Sequence, residues 1–135
     1  MVEKLFTNKV ILITGASSGL GKTFADFFLK QGALVIACSR RNMFNKRSYK
    51  KNKNFFYYKL DLKQIKKIHF FIKKISNKFK KIDILINNAG VANPVIFEKL
   101  DYKNLLNSFQ VNFFAPTIIT KEVLKVMKKK ITVEL

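Results

Sequence analysis

Residues 14–21 have the composition of a turn that could hold a phosphate group. They run Thr-Gly-Ala-Ser-Ser-Gly-Leu-Gly, they follow an apolar run at 10–13, and they precede a segment of helical pattern. Small residues let the backbone approach a pyrophosphate, and a helix N-terminus offers free N–H donors and the positive end of its dipole. Three spaced glycines also occur in ordinary tight turns between a strand and a helix. The turn therefore predicts a phosphate site only if its surroundings agree.

Three further groups of polar or small residues follow apolar runs of strand length. In chain order they are Ser39-Arg40-Arg41, Asp61-Leu62 and Asn87-Asn88-Ala89-Gly90. The carboxyl ends of parallel strands meet at one edge of a sheet, and open α/β sheets bind their ligands at that edge. We therefore expect these groups and the glycine turn to form one nucleotide site.

An alternation of strands and helices must position these groups. Apolar runs of strand length occupy residues 9–14, 33–38, 55–60 and 82–86, and helical patterns lie near 22–31, 65–79 and 102–129. Pro116 lies within the last helical pattern and should kink or interrupt it, because proline has no N–H to donate. Residues 131–135 could begin a fifth strand. The pattern predicts a single α/β domain over 1–135, with a doubly wound parallel sheet of about four to five strands.

The predicted helices carry apolar residues that should pack on the sheet. Phe24, Phe27 and Phe28 should point towards it from the first helix, which Gly32 should end. Residues 65–79 place isoleucines and a phenylalanine three and four residues apart, with lysines between them. That pattern is typical of an amphipathic helix over a sheet, although a membrane-surface helix would look similar. No apolar run reaches the ~18 residues of a membrane span.

The charge of the chain is extreme but evenly spread. The 135 residues carry a formal net charge of +19, mostly from lysine, with arginine only at positions 40, 41 and 47. This charge predicts salt-sensitive binding to polyanions. Richness in lysine, isoleucine, asparagine and phenylalanine together is typical of an AT-biased genome, so we expect no specific nucleic-acid site. An N-terminus without a long apolar region favours a cytoplasmic protein. The single cysteine, Cys38, cannot form an internal disulfide and is interpreted as a small core residue.

Four motifs, in this order, resemble the classical short-chain dehydrogenase/reductase family. They are TGxxxGxG at 14–21, Asp61-Leu62, NNAG at 87–90, and Asn112 preceded by valine. The resemblance extends from about residue 9 to residue 129 and implies a Rossmann-like fold and an NAD(P)-dependent oxidoreductase. The residues that would wrap the pyrophosphate and the adjacent ribose are Gly15, Ser17, Ser18, Gly19, Leu20 and Gly21.

The same resemblance implies roles for the later motifs. Contacts to the adenine are implied for Asp61 and Leu62, and contacts on the ribose side for Asn88, Ala89 and Gly90. Asn112 matches the asparagine that holds a water in the family's proton relay, and is thereby a candidate catalytic residue. The alternative for Asn112 is a helix-interior asparagine that satisfies backbone groups freed near Pro116. No metal site is implied.

The end of the second strand indicates which dinucleotide binds. An acidic residue about 20 positions after the glycine turn accepts from the ribose 2′-hydroxyl of NAD, whereas arginine accommodates the 2′-phosphate of NADP. Here Ser39 stands at the acidic position, and Arg40 and Arg41 follow it. Guanidinium groups pair well with phosphate, and a serine hydroxyl can add a donor. A solvated basic turn and NAD(H) are the alternatives, and we predict NADP(H).

The residues that perform the family's chemistry are not found where they are expected. The family uses a serine that orients the carbonyl, and a tyrosine with a lysine four positions on, all beyond the position of Asn112. No serine or tyrosine follows Asn112 in the 135 residues. Tyr49 and Lys53 match the YxxxK spacing, but they precede the third strand, so we interpret them as a solvated loop. His69 has no nucleophile or ligand partner in the pattern and is interpreted as structural or exposed.

Three hypotheses remain for the function. The first is the amino-terminal part of an NADP(H)-dependent oxidoreductase, whose intact form would transfer a hydride to or from a small carbonyl or alcohol substrate and which would be inactive as this truncated chain. The second is a non-catalytic nucleotide-binding or interaction module that self-associates through an exposed edge of the sheet. The third, a remote alternative, is a non-specific polyanion binder.

Overall fold

The sheet of the computed structural model, which describes residues 4–42, 44 and 47–133, is parallel throughout. Its strands are β1 (Val10–Thr14), β2 (Leu34–Ser39), β3 (Phe55–Lys59) and β4 (Ile84–Ile86), in the order β3-β2-β1-β4. Leu12 of β1 lies beside Ile36 of β2 and Leu85 of β4. The predicted α/β class and parallel sheet are confirmed, and each predicted strand end lies within two residues of the observed one.

Helices cover both faces of the sheet. They are α1 (Gly19–Lys30), α2 (Arg47–Lys51), α3 (Ile65–Phe79), α4 (Tyr102–Phe109) and α5 (Ala115–Val133), with a single 3₁₀ turn at Phe97–Lys99. Successive residues of a strand point to opposite faces. Leu12 therefore packs in one buried cluster with Ile68 of α3 and Ile119 of α5, whereas Ile13 packs in a second with Ala25 of α1 and Tyr49 of α2. The two layers make the sheet doubly wound.

The first helix begins at Gly19, within the glycine-rich turn and not near residue 22 as predicted, and one of its three phenylalanines also differs from its prediction. Phe24 and Phe28 are half-buried against the second cluster, but Phe27 is 46% exposed. Phe27 lies at the rim of the apolar stripe, where its ring meets Phe6 and Phe28 edge-on, so the prediction that it faces the sheet is wrong. Gly32 ends the helix as predicted, with φ +84°, and its N–H donates to the Leu29 carbonyl oxygen at 3.1 Å.

The long helical pattern is interrupted before Pro116, as predicted. Residues Gln110–Phe114 form a π turn between α4 and α5, in which the Ala115 N–H donates to the Gln110 carbonyl oxygen. The next residue, Pro116, has no N–H to restore the ordinary α-helical pattern.

The predicted fifth strand is wrong where it can be checked. Helix α5 continues to Val133, and residues 134–135 lie outside the described part of the chain. Extending an existing helix adds one hydrogen bond per ordered residue, and no glycine or proline interrupts residues 117–133. Residues 131–133 therefore extend α5, although all three are β-branched. None of the described helices is long and apolar enough to cross a membrane.

Candidate functional site

A cleft of about 340 Å³ opens at the carboxyl ends of the strands. All the predicted cofactor-binding residues except Gly19 and Gly21 line it. They are Gly15, Ser17, Ser18, Leu20, Ser39, Arg40, Arg41, Asp61, Leu62, Asn88, Ala89 and Gly90. Residues from the ends of all four strands therefore meet in one place, as the motif positions predict.

Thr14 and Asn88 join the ends of β1 and β4 beneath the cleft. The buried Thr14 Oγ1 accepts hydrogen bonds from the N–H groups of Asn88 and Ala89, each at 3.1 Å. In return, Asn88 Nδ2 donates to the carbonyl oxygens of Thr14 at 3.2 Å and Gly15 at 3.1 Å. Each side chain satisfies backbone groups of the opposite strand end, which would be costly to leave unpaired in the interior. The pair fixes the floor of the cleft.

The three glycines of the turn serve different purposes. A Cβ on Gly15 would lie 2.6 Å from Ala89 Cα, and one on Gly21 would lie 2.4 Å from Asn88 Nδ2, so both positions let neighbouring elements approach closely. A Cβ on Gly19 would meet nothing within 4 Å, and its φ of +54° favours glycine. No other part of the described chain therefore covers the backbone at Gly19, where α1 begins.

The start of α1 suits an anion. Its N-cap, Ser18, makes no side-chain capping hydrogen bond, and the first turn carries no acidic residue. The N–H groups of a first helical turn have no partners within the helix, and the dipole adds positive potential there. The open backbone at Gly19 and these free donors fit a pyrophosphate.

The turn after β2 carries two exposed arginines on a fixed backbone. Ser39 is buried and its Oγ donates to the Arg41 carbonyl oxygen at 2.7 Å, while the Tyr57 hydroxyl donates to the Ser39 carbonyl oxygen at 3.1 Å. The single hydroxyl proton of Ser39 is therefore used within the turn. Arg40 and Arg41 are exposed beside the cleft, where they can pair with a phosphate.

Asn112 lies next to the cleft and clamps the loop after β4. Its Oδ1 accepts from the Val91 N–H and its Nδ2 donates to the Val91 carbonyl oxygen, both at 2.8 Å. The side chain therefore does not satisfy backbone groups freed by Pro116, which was the alternative interpretation. The backbone carbonyl oxygen of Asn112 receives no hydrogen bond from Pro116, because proline has no N–H to donate. A role in a proton relay stays a prediction.

The sequence matches a known protein family over most of its length. The family model described as short chain dehydrogenase matches residues 9–132. The chain belongs to the short-chain dehydrogenase family. It is 35% identical over 123 residues to an uncharacterized oxidoreductase of Schizosaccharomyces pombe, covering 91% of this chain and 41% of that protein.

Two other short-chain dehydrogenase relatives show the same partial coverage. The chain is 30% identical to the benzil reductase ((S)-benzoin forming) of Bacillus cereus, covering 90% of this chain and 51% of the enzyme. The crystal structure of a Leptospira borgpetersenii short-chain dehydrogenase with bound NAD⁺ superposes with a TM-score of 0.85 at 26% identity, over 93% of this chain and 48% of that one. The chain thus spans about half the length of the curated relatives that it matches.

Sequence reasoning missed four residues that line the cleft of this short-chain dehydrogenase. They are Cys38, Leu60, Val91 and Val111, each adjacent to a motif residue. All four are apolar or small. Cys38, Leu60 and Val111 belong to or border a strand end or the π turn, and Val91 lies in the loop after β4. Their proximity to the motifs was the only signal that could have identified them.

The interpretation of Tyr49 as part of a solvated loop is wrong. Tyr49 lies in α2, is 9% exposed, and packs its ring 4.9 Å from that of Phe44. Its hydroxyl accepts a hydrogen bond from Lys22 Nζ at 2.8 Å and donates one to Asp26 Oδ1. The nearby Phe44 and Phe55 bury its ring, and Lys22 and Asp26, more than 20 residues earlier in the chain, bind its hydroxyl. The local polarity of residues 40–54 gave no indication of either. It does not line the cleft.

His69 lies away from the cleft, on α3. It is half-exposed, and its Nδ1 lies 3.5 Å from Glu122 Oε1 of α5. Lys125 Nζ contacts the same oxygen at 2.7 Å, and that hydrogen bond is the main reason that the pKa of Glu122 is lowered. His69 therefore helps to join two helices, in agreement with its interpretation as structural or exposed.

Proposed function

We propose that this chain is the NADP(H)-binding part of a short-chain dehydrogenase/reductase acting on a carbonyl or alcohol substrate. The observation that carries the proposal is the position of Arg40 and Arg41, exposed at the rim of a cleft that the glycine turn and the ends of all four strands enclose. Gly19 and the first turn of α1 would hold the pyrophosphate. Asp61 and Leu62 would contact the adenine, and Asn88, Ala89 and Gly90 the ribose side.

The preference for the phosphorylated cofactor rests on charge. Asp61 is the one carboxylate among the described residues that line the cleft, and it follows β3, whereas the ribose-binding acid of an NAD enzyme follows β2. The two guanidinium groups after β2 would pair with a 2′-phosphate and have no comparable partner in NAD. The NAD⁺ in the Leptospira relative supports a nicotinamide dinucleotide in this fold without favouring either form.

The substrate and the catalytic step belong to the whole protein and are proposed from the family. When bound, the nicotinamide ring supplies or accepts the hydride. The benzil reductase relative supports a carbonyl substrate. We propose that Asn112 belongs to the proton relay, and that the 135 residues bind nucleotide without turnover, since no serine or tyrosine follows Asn112.

We propose a cytoplasmic protein, in keeping with its single buried free thiol at Cys38. We propose no specific nucleic-acid partner, because the lysines are spread over the chain. Self-association through the open edge of β4 is proposed as well, because β4 pairs with β1 alone among the described strands.

Cofactor titration of paired variants tests this function. Isothermal titration calorimetry would give the Kd of the purified chain for NADPH and for NADH. We expect Arg40→Ala with Arg41→Ala to weaken NADPH binding at least about 10-fold, because charge-assisted hydrogen bonds to the phosphate are lost. NADH binding should change less than about twofold. Lys50→Ala with Lys51→Ala is the matched control, since it removes two exposed positive charges from α2, outside the cleft.

The titrations test dinucleotide binding separately from the preference for NADP(H). Equal losses of NADPH and NADH affinity in the arginine variant would contradict the NADP(H) assignment and leave dinucleotide binding in place. A similar loss of NADPH affinity in the lysine control would mean that overall charge, and not the arginine turn, attracts the nucleotide. A native chain that binds neither nucleotide would overturn the binding function itself.

A further inference from the structure

Three polar side chains connect α2 to α1 behind the cleft. Lys22 and Asp26 lie one turn apart on α1 and form an ion pair at 3.0 Å. The Tyr49 hydroxyl lies between them, accepting from Lys22 Nζ at 2.8 Å and donating to Asp26 Oδ1. Burial raises the pKa of Tyr49, and the hydrogen bond to Asp26 raises it further, so the hydroxyl keeps its proton at neutral pH. We name these three residues the anchor cluster.

The ring of Tyr49 extends this connection to Phe44. The two rings meet edge-on with centroids 4.9 Å apart, and Phe44 is 3% exposed. Phe55 of β3 packs against both rings, at 4.7 Å from Phe44 and 5.0 Å from Tyr49. Aromatic pairs of this kind have a preferred geometry and contribute stability beyond their buried area. Phe44 is therefore held in place by α2 and β3.

Phe44 lies three residues after Arg41 in the sequence. Its N–H donates to Asn42 Oδ1 at 3.0 Å, directly after Arg40 and Arg41. On the other side of the arginines, the Ser39 Oγ donates to the Arg41 carbonyl oxygen and the Tyr57 hydroxyl donates to the Ser39 carbonyl oxygen. The arginine turn is thus held through its backbone at Ser39 and Arg41 and is linked to Phe44 through the Asn42 side chain, although the arginine side chains are exposed.

We propose that the Tyr49 hydroxyl, held by Lys22 and Asp26, positions Arg40 and Arg41 and so strengthens selection of a dinucleotide that carries a 2′-phosphate. This inference rests on the proposed function. A turn that is ordered before binding loses less conformational freedom when the phosphate arrives. The same helix, α1, presents its N-terminal turn to the pyrophosphate. The anchor cluster therefore holds the arginine turn at a set distance from the pyrophosphate site, and Tyr49 is a positioning residue with no contact to the cofactor.

The substitution Tyr49→Phe tests the proposal because it removes the hydroxyl and keeps the ring. Calorimetric titration should give a Kd for NADPH that is about 3- to 10-fold higher than in the native chain, as expected for loss of preorganisation. The Kd for NADH should stay within about twofold. Tyr58→Phe is the matched control: the same atom is removed from β3, on the opposite face of the sheet, where the Tyr58 ring packs 5.4 Å from Phe71. It should change neither Kd.

A second measurement detects the anchoring without any cofactor. Hydrogen exchange followed by NMR should show faster exchange of the Phe44 amide in Tyr49→Phe than in the native chain, and no change in Tyr58→Phe. Unchanged exchange at Phe44, or an equal loss of NADPH and NADH affinity, overturns the proposal. A native chain that binds neither nucleotide overturns the proposed function and the selectivity role with it, whereas faster exchange would still establish the anchor.

Discussion

At the scale of single residues, Cys38 shows how burial changes chemistry. It lies in the buried part of β2, is 1% exposed, and lines the cleft. Burial raises the pKa of its thiol to about 12 from the ordinary value of 9.0. The thiolate, and not the thiol, is the reactive form of cysteine. Cys38 should therefore be inert in the folded protein, despite its position beside a ligand cleft.

The pH dependence of stability should reveal this buried thiol. Above pH 9 the unfolded chain loses the Cys38 proton, whereas the folded chain keeps it up to about pH 12, so the free energy of unfolding must fall as pH rises. Above pH 9 the free energy of unfolding should fall by up to about 1.4 kcal/mol per pH unit. Urea unfolding at pH 8, 9 and 10 should show the fall, and Cys38→Ala should flatten it.

The upper limit of pH 10 keeps this measurement specific. Lys22 and Tyr49 both have raised pKa values, with ordinary values of 10.5 and 10.0, so most of the stability that they lose is lost above that limit. For Lys22 the hydrogen bond to Tyr49 is the main cause, followed by that to Asp26. Equal slopes in the native chain and in Cys38→Ala between pH 9 and pH 10 would show that the thiol is not the source.

At the scale of elements, the closeness of α1 to the end of β4 depends on Gly21. We expect Gly21→Ala to lower the free energy of unfolding by about 1–3 kcal/mol, the usual cost of overpacking. The new Cβ would lie 2.4 Å from Asn88 Nδ2 and 2.5 Å from the Gly15 carbonyl oxygen. Alanine also favours a helix over glycine by about 1 kcal/mol, so a net loss requires the clash to dominate.

Gly90→Ala is the matched control for that substitution. A Cβ there would have Asn112 Oδ1 at 3.6 Å as its nearest neighbour, an ordinary contact. Chemical denaturation should therefore show a change below about 0.5 kcal/mol for Gly90→Ala. If Gly21→Ala were as stable as the native chain, α1 and β4 would not be in the close contact described above.

The elements also show what the sequence could predict. Apolar runs located the strands because buried parallel strands are apolar on both faces, and Pro116 located the break between α4 and α5. The end of α5 could not be predicted, because Ile131-Thr132-Val133 suits a strand locally while the preceding helix extends through it. The preference of these residues for a strand is outweighed by the hydrogen bonds gained when α5 continues.

At the scale of the whole molecule, long-range packing escaped prediction. The motif residues could be assigned to one cleft because the fold class alone brings strand ends together. Tyr49 packs against the nearby Phe44 and Phe55, but its hydroxyl is bound by Lys22 and Asp26 of α1, which are more than 20 residues away in the sequence. The α1 residues that hold Tyr49 behind the arginine turn could not be predicted, because they are far from it in the sequence. Arg40 and Arg41 could be assigned from their residue types alone.

The exposed apolar surface also belongs to this scale, and it underlies the proposed self-association. Large apolar residues are exposed throughout 95–114, next in sequence to the open strand β4. They are Val95, Ile96, Phe97, Leu100, Tyr102, Leu105, Leu106, Phe109, Phe113 and Phe114. Extended apolar surfaces and open strand edges are typical of interaction sites. We expect sedimentation velocity to show concentration-dependent association of the purified chain.

Substitutions and salt should distinguish this association from charge-driven aggregation. Phe97→Gln with Phe109→Gln should weaken it about 10-fold or more, because buried aromatic residues dominate interface energies. Phe70→Gln, which alters a 72% exposed phenylalanine on α3, should leave it unchanged. Two chains of net charge +19 repel each other, so added salt should strengthen apolar association by screening. Association that weakens with salt would instead indicate bridging by a polyanion, since release of counterions drives such binding.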